Sequence, residues 1–274
     1  MRGSAKTTVL GALLAGWIFL LPTHFFLSYN RESARLHGLL NNYLVLTLYA
    51  SELVMFLISL WLLPETRQAL SSTWHRLNSR QRRGVKALGL GFLLLGLTQL
   101  RAEFPLVAGL SWVKFLALSW FALSLALLNF QYLPSLKRWL VSGLLGAIWF
   151  QVSLGWLQYW RQTELIGYPL LGEPHFQAWA NLATGHLANG ATRYLAYGTT
   201  AHPNLLANIV ISFAFLSWWL TPTRSRRQTL FFALTSLLAA SSLLITHSWT
   251  AGLVALSGGG LWLMRPRLAA LRLP

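Results

Sequence analysis

The residues best suited to chemistry lie between Arg193 and Asn208, in the stretch RYLAYGTTAHPNLLAN. Pro203 fits the first turn of a helix that the following apolar run would form, with His202 before it as a cap. The unpaired N–H groups and the positive dipole end of such a helix favour an anion. Asn204 adds a polar amide there, and the planar fork of Arg193 suits phosphate. The stretch therefore indicates a phosphate or pyrophosphate site.

A simpler interpretation of the same stretch is open. An ordinary helix cap, together with a basic residue that stays in water, produces the same pattern without any ligand. In the anion-site interpretation, the turn at Gly198 brings Arg193 back to the helix start at Asn204.

Transfer chemistry at such a site would also need a general base. The base candidates on the same side of the predicted membrane are His175, His186, His202, His247, Glu103, Glu164 and Glu173. No spacing singles one out. His247 directly precedes Ser248 at a predicted helix junction near the proposed pocket, so it is the base to test first, with His202 as the second catalytic candidate.

Other kinds of chemistry lack their residues. All six acidic residues are Glu, and the chain has no Cys. An Asp-x-Asp metal site for a nucleotide sugar, a disulfide, an iron–sulfur site and a thiolate nucleophile are thereby excluded. A Walker phosphate loop and a His-Glu-x-x-His zinc helix are absent too. We expect neither a cofactor nor a metal.

The composition is that of a membrane protein. Hydrophobic residues make up 55% of the 274 residues, the mean hydropathy is +0.50 and only 10% are charged, against about 25% in soluble domains. The net charge of +16 would suggest nucleic acid in a soluble protein. Here the basic residues sit in short loops between apolar runs, so the expected surroundings are membrane lipid and not nucleic acid.

The fold class predicted from the apolar runs is an all-α, polytopic helix bundle in a single membrane domain over 1–274. About eight spans can be drawn, at 7–27, 39–63, 87–104, 105–130, 138–158, 204–220, 229–246 and 248–264. Pro22 should kink the first span because it lacks a backbone donor. The segment 159–203 becomes one long loop, whose Trp, Tyr and Leu residues predict that it packs on the spans.

The basic residues orient these spans. With the N-terminus inside, 16 of the 22 Lys and Arg residues fall in inner loops. The outer segments hold only Arg31, Arg35, Arg101, Arg161 and Arg193, and Lys114 lies within a span. Basic residues accumulate on the cytoplasmic side of membranes. Both termini are therefore predicted to be cytoplasmic, and the 159–203 loop to be external.

Two charges are predicted inside the membrane. Glu52 lies in the second span and Lys114 in the fourth, at similar depths. Isolated charges at that depth cost at least a few kcal/mol each, so they tend to pair or to face a cavity. We expect the two side chains to lie close together, as a structural strut in preference to a transport relay.

The pattern R-x(4)-G-x(3)-HPN-x(2)-A, formed by Arg193, Gly198, His202-Pro203-Asn204 and Ala207, resembles the motif of the O-antigen ligase and polymerase superfamily. In that family one helix, a basic cytoplasmic turn and a second helix ending in Ser-Arg-Gly/Thr-Ala follow. Here a helix to Leu220, the turn TRSRRQ and a helix ending before Ser248-Trp-Thr-Ala stand in the same order. The similarity covers about residues 190–255.

The resemblance implies a protein of the bacterial inner membrane that acts on a polyprenyl-diphosphate-linked saccharide at the outer face, without metal. It implies that Arg193 stabilises the pyrophosphate, helped by the helix start at Asn204. It also places Gly198, His202 and Ser248 at the substrate. Ligase and polymerase share this carrier-binding chemistry, so the resemblance does not choose between them.

Two departures from the family pattern keep other functions open. Trp249 stands where the family has a second external Arg, and the sequence stops at Pro274, whereas the family continues with a large external loop that carries its catalytic His. We therefore expect the carrier-binding element without the usual catalytic loop, as in a truncated homologue or a chain that needs a partner chain. The rival interpretation is a non-enzymatic membrane protein: a lipid-linked-glycan binder, a transporter or an assembly partner.

Overall fold

The computed structural model describes residues 2–23, 26–29, 35–36, 39–40, 46–127, 133–167, 171–174, 176, 182–186, 189–221 and 225–270. The helices are α1 Arg2–Leu20, α2 Ala50–Trp61, α3 Leu63–Arg76, α4 Ser79–Thr98, α5 Pro105–Leu127, α6 Leu133–Arg161, α7 Pro203–Leu220, α8 Arg226–Thr246 and α9 Trp249–Ala270. The strands are β1 Phe26–Tyr29, β2 Arg35–Leu36, β3 Leu39–Leu40, β4 Leu46–Tyr49, β5 Thr184–His186 and β6 Thr192–Tyr194. Strands β1 and β4, β2 and β3, and β5 and β6 form short antiparallel pairs. The remaining regular structure of the described residues is helical.

The fold divides into two compact units, and the first joins α1 to everything from α6 onward. Its core lies between α6, α7 and α8, where Ile148, Val152, Leu206, Val210 and Ile245 are almost completely buried. This core fixes the ends of α6, α7 and α8 that carry the candidate site.

Helices α1 and α6 approach each other closely within this unit. A Cβ atom at Gly143 would lie 2.7 Å from the carbonyl oxygen of Ala15. Small residues allow such backbone contact between membrane helices. Gly143 therefore sets the distance between α1 and α6.

The second unit contains β1 to α5. Helices α2 and α3 meet at Leu62 with a bend of 60°, and α5 packs against both. On α4 and α5, Phe92 packs on Phe115 with ring centroids 5.8 Å apart. Trp112 and Phe115 stack at 5.5 Å, so aromatic rings join α4 to α5.

Glu52 and Lys114 form an ion pair in the second unit, with 2.9 Å between Oε2 and Nζ. This confirms the prediction that the two charges lie close together. Lys114 also donates to the backbone carbonyl of Thr47, and its Nζ lies 5.5 Å from the centroid of the Tyr49 ring. Glu52 in turn accepts the backbone N–H of Tyr49 at 3.0 Å. The pair thus ties α5 to the start of α2.

In the part of the chain that the structure describes, four helices are long and apolar enough to cross a membrane: Pro105–Leu127, Leu136–Arg161, Pro203–Leu220 and Arg226–Thr246. The bent pair α2–α3 would be a fifth if it counts as one span. Their outward faces are apolar, as in Leu118 of α5, which is 51% exposed. Large exposed apolar surfaces are rare on soluble proteins. The protein is therefore embedded in a membrane, with candidate spans that correspond to four of the eight predicted ones.

The other predicted spans differ from the helices observed. The prediction of a helix over 39–63 is wrong at Leu39–Leu40 and Leu46–Tyr49, because these residues form strands. Hydropathy alone does not separate an apolar strand from an apolar helix. The predicted third span covers the end of α4, a 3₁₀ turn at Gln99–Arg101 and the three residues after it, and the last predicted span covers Ser248 and most of α9.

Pro22 does not kink the first helix. Helix α1 ends at Leu20, and Pro22 follows in a turn. Since proline has no N–H to continue the helical ladder, the helix stops before it. The count of eight spans and the single membrane domain stay predictions.

Candidate functional site

A turn at residues 197–200 precedes α7, and two buried glutamines of α6 hold its backbone. Nε2 of Gln158 donates to the carbonyl oxygen of Gly198 at 2.8 Å. Its Oε1 accepts the N–H groups of Tyr197 at 3.2 Å and Gly198 at 2.8 Å. About two helical turns closer to the start of α6, Gln151 accepts the N–H of Thr199 at 3.0 Å and donates to the Thr199 hydroxyl at 2.6 Å. The described part of the 159–203 loop is thus packed on α6, as its composition predicts.

Gly198 is required in this turn by its backbone and by its surroundings. Its φ is +58°, a left-handed conformation that side chains disfavour. A Cβ atom there would also collide with Oε1 of Gln151. Gly198 therefore shapes the turn. The contact of Gly198 with the substrate, which the motif resemblance implies, stays a prediction.

Glu173 is fully buried and acts as a second anchor of the loop. Its carboxylate accepts the N–H groups of Leu165 at 2.9 Å, Ile166 at 2.5 Å and Gly167 at 2.8 Å. It also accepts Nε2 of Gln158 at 2.7 Å. With four donors around two oxygens, this carboxylate is a structural acceptor and a poor general base.

Helix α7 begins as the sequence predicts. Pro203 is its first residue, and Nδ1 of the His202 cap accepts the backbone N–H of Asn204 at 3.1 Å. In the neutral ring, the proton must then sit on Nε2. His202 is exposed, so this Nε2–H is a donor available to a ligand. The cap geometry favours binding over base catalysis for His202.

A polar cluster continues from this helix start to the start of α9. Asn208 donates from Nδ2 to the carbonyl oxygen of Asn204 at 2.8 Å and to Oγ1 of Thr250 at 3.1 Å. Oγ of Ser248 lies 3.2 Å from Oγ1 of Thr250 and accepts the N–H of Ala251 at 3.2 Å. Asn204 and Ser248 therefore belong to one connected group of hydrogen bonds, with Ser248 buried as the cap of α9.

Trp249 stands beside this cluster. Its side chain is 90% exposed, at the position where the resembled family carries an Arg. The site therefore presents an indole there and no charge.

Arg193 lies on the β5–β6 hairpin, opposite Gly185. Its guanidinium carbon is 5.6 Å from the centroid of the Tyr159 ring on α6. Within the described part of the chain, no carboxylate forms an ion pair with it. Stacked on an aromatic face and without an acidic partner, the guanidinium keeps its hydrogen-bond donors for a ligand.

His247 lies beside the same hairpin. It ends α8 in the left-handed conformation, with φ 50° and ψ 36°, and its side chain is exposed. A Cβ atom at Gly185 would be 2.8 Å from its Nδ1 and Cε1 atoms. The backbone N–H of Ala196 binds the carbonyl oxygen of Ile245 at 2.9 Å. These contacts bring the strand of Arg193 and the end of α8 together.

The predicted site residues thus form two groups. Arg193 and His247 both lie next to Gly185 of the hairpin, whereas His202, Asn204 and Ser248 lie around the starts of α7 and α9. No contact between described residues joins the guanidinium of Arg193 to His202 or Asn204. That these two groups bind one ligand stays a prediction. His175 lies outside the described residues.

Several residues of this region were missed in the sequence. Gln151 and Gln158 are two helical turns apart on α6 and so share a face. Two uncharged amides at that spacing inside an apolar helix are a signal that could have been found. Asn208, one turn after Asn204, is a second such signal.

Tyr197 joins the turn to the hairpin and has a shifted pKa. Its hydroxyl accepts the N–H of Ala183 at 2.7 Å. Burial raises the pKa of Tyr197 above the usual 10.0, although the hydrogen bond from Ala183 opposes the rise. Tyr197 therefore stays neutral as a structural contact of the loop. Among the described residues, no group of three or more His, Asp or Glu side chains could hold a metal ion.

A scan against models of protein families, a search of curated proteins and a search of solved structures found no match for this chain.

Proposed function

We propose that this protein handles a polyprenyl-diphosphate-linked glycan at the outer face of the bacterial inner membrane, in the manner of an O-antigen ligase or polymerase. In this proposal the chain has about eight spans and both termini are cytoplasmic. The observation that carries it is the start of α7. There the exposed His202 caps the helix through Nδ1, which leaves its Nε2–H as a donor for a ligand, and the exposed Asn204 follows two residues later.

The diphosphate would be held by cations and N–H donors. Arg193 supports this role because it has no acidic partner among the described residues and is supported by Tyr159. A leaving pyrophosphate gains negative charge as its bond to the sugar breaks, and donors fixed beforehand stabilise that charge. Gln158 fixes the turn at Gly198 through two hydrogen bonds. This turn directly precedes α7, so the donors at the start of α7 are fixed as well.

In the transfer step, the hydroxyl oxygen of the acceptor would bond to the anomeric carbon while the bond from that carbon to the diphosphate breaks. The hydroxyl proton would pass to a base, and the polyprenyl diphosphate would leave with the electron pair. His247 is the base that the geometry supports best, because its ring is exposed and lies beside the hairpin that carries Arg193.

A second function, binding without transfer, is supported by the state of the other bases. The carboxylate of Glu173 is enclosed by four donors, and Nδ1 of His202 is occupied by the helix cap. In this case the chain would present the carrier to a partner chain that supplies the base.

The deciding experiment measures binding and transfer separately in proteoliposomes with a fluorescent polyprenyl-diphosphate oligosaccharide. Arg193→Ala should weaken binding about 10-fold or more, since a charge-assisted hydrogen bond contributes about 1.5–3 kcal/mol. Arg101→Ala, a second predicted external Arg, is the control and should bind normally. His247→Ala should abolish transfer but keep binding; if the unmodified protein binds without transfer, the binding function holds. Unchanged binding in Arg193→Ala would defeat both.

A further inference from the structure

A groove on α6, separate from the site above, has the character of a lipid site. It has a volume of ≈ 450 Å³, and its lining includes Trp149, Ser153, Leu157, Arg161, Leu165 and Ile166. Trp149 and Leu157 are about two-fifths exposed, at 41% and 43%, so the groove opens on the outer surface of a candidate membrane span. The volume falls in the range of small-molecule sites, about 300–1,000 Å³.

One wall of the groove is built by the buried carboxylate of Glu173. This carboxylate binds the N–H groups of Leu165 and Ile166, which fixes the chain just after the end of α6. Both residues then line the groove together with residues of α6. The wall is therefore fixed to the fold, with its two backbone donors satisfied.

Among the described residues that line the groove, Arg161 is the one that carries a charge. It is the last residue of α6 and is exposed. Among the described residues, no carboxylate pairs with it. Glu164, the nearest acidic residue along the chain, does not line the groove.

The length of α6 places this cation at a membrane surface. The helix has 29 residues, which is about 44 Å at 1.5 Å per residue, longer than the hydrocarbon core of about 30 Å. Arg138 near its start and Arg161 at its end then lie in opposite headgroup layers. An apolar groove that ends at a cation in the headgroup layer matches a lipid whose phosphate is negative and whose chains are apolar.

We infer that this groove binds an anionic phospholipid, with its phosphate on Arg161 and an acyl chain along Leu157, Leu165 and Ile166. A single cation suits one phosphodiester, whereas the diphosphate of a glycan carrier calls for several donors, such as those at the start of α7. Because the groove opens toward lipid, its occupant exchanges with the bilayer. This site does not depend on the proposed glycan function.

The test is retention of phosphatidylglycerol by the purified protein in native mass spectrometry, with phosphatidylcholine as the neutral lipid. Arg161→Gln should lower phosphatidylglycerol retention about fivefold, the effect of one cation near an anionic lipid. Phosphatidylcholine retention should not change. Arg161→Lys should keep most of the retention because it keeps the charge.

Arg138→Gln is the matched control, since it removes the same charge at the other end of the same helix and does not line the groove. Equal losses in Arg138→Gln and Arg161→Gln would mean general surface electrostatics and overturn the site. Leu165→Asn should also lower retention, because it makes the wall polar while leaving Arg161 in place; normal retention there overturns the acyl-chain part. Displacement of the lipid by inorganic phosphate alone would reassign the groove to free phosphate, and displacement by polyprenyl diphosphate would reassign it to the glycan carrier.

Discussion

The side-chain amide of Gln158 binds both backbone polar groups of Gly198, donating to its C=O and accepting its N–H at 2.8 Å each. One side chain thereby supplies both of the backbone hydrogen bonds that a neighbouring strand would provide in a sheet. Since Gln158 is fully buried in α6, leaving these groups without partners would be costly. The turn before α7 is therefore fixed to the helix bundle before any ligand arrives.

Gly198→Ala should destabilise the protein more than an ordinary glycine substitution. The new methyl group collides with Oε1 of Gln151, and the alanine must keep a backbone φ of +58°. Together these effects should lower the free energy of unfolding by about 3 kcal/mol. Gly190→Ala is the matched control, with a φ of +81° and nothing within 4 Å of the new atom. It should cost only about 1 kcal/mol. Thermal unfolding in detergent compares the two; equal midpoints would show that Gln151 gives way.

Glu173→Gln should loosen the loop after α6. The amide keeps one acceptor oxygen but turns an NH₂ group toward the N–H donors of 165–167, at a cost of about 2–3 kcal/mol. The expected result is a lower unfolding temperature and faster tryptic cleavage after Arg161. Glu103→Gln, which changes an exposed carboxylate, is the control and should behave like the unchanged protein. Normal proteolysis of Glu173→Gln would mean that the four bonds to its carboxylate add little.

The Glu52–Lys114 pair should show strong coupling. Lys114→Met leaves Glu52 unpaired and should destabilise the protein, whereas the double variant Glu52→Gln/Lys114→Met should recover part of the loss. A double-mutant cycle on unfolding free energies should give a coupling of about 1–3 kcal/mol. Lys86→Met, at an exposed lysine of α4, controls for the change in net charge. Additive single effects would refute a structural pair.

Tyr197 should make stability depend on alkaline pH. Because burial raises its pKa in the folded state above the unfolded value of 10.0, the folded protein holds the proton longer than the unfolded chain. The resulting stabilisation is complete below pH 10 and is lost as pH rises through the raised pKa. Tyr197→Phe should be less stable at neutral pH, since Ala183 loses its acceptor, yet fall less steeply above pH 10. Parallel pH profiles of the two proteins would contradict this prediction.

Local patterns predicted the start of α7 and the ion pair well. Pro203 and the residues beside it define a helix start within four residues, so His202 could be named as its cap without knowing the fold. Glu52 and Lys114 could be paired because charges in apolar runs have few alternatives.

The supports of the site could not be predicted in the same way. The hydrogen bond between Gln158 and Gly198 joins residues that are 40 positions apart in the sequence. Nothing in the sequence distinguishes Glu173 from the other candidate bases. Their roles follow from which backbone donors the loop leaves unpaired, which depends on the path of the loop. The strand at Leu46–Tyr49 was missed because its apolar residues continue into α2 without a break.

The junction between α8 and α9 contains only His247 and Ser248, one of them in a left-handed conformation. Such a short elbow has few torsions with which to absorb a tilt of α9 against α8. The last turn of α8 is also bonded to Ala196, whose N–H donates to the carbonyl oxygen of Ile245. Since this bond and the short junction involve the same end of α8, the start of α9 is tied to the segment that follows the strand of Arg193.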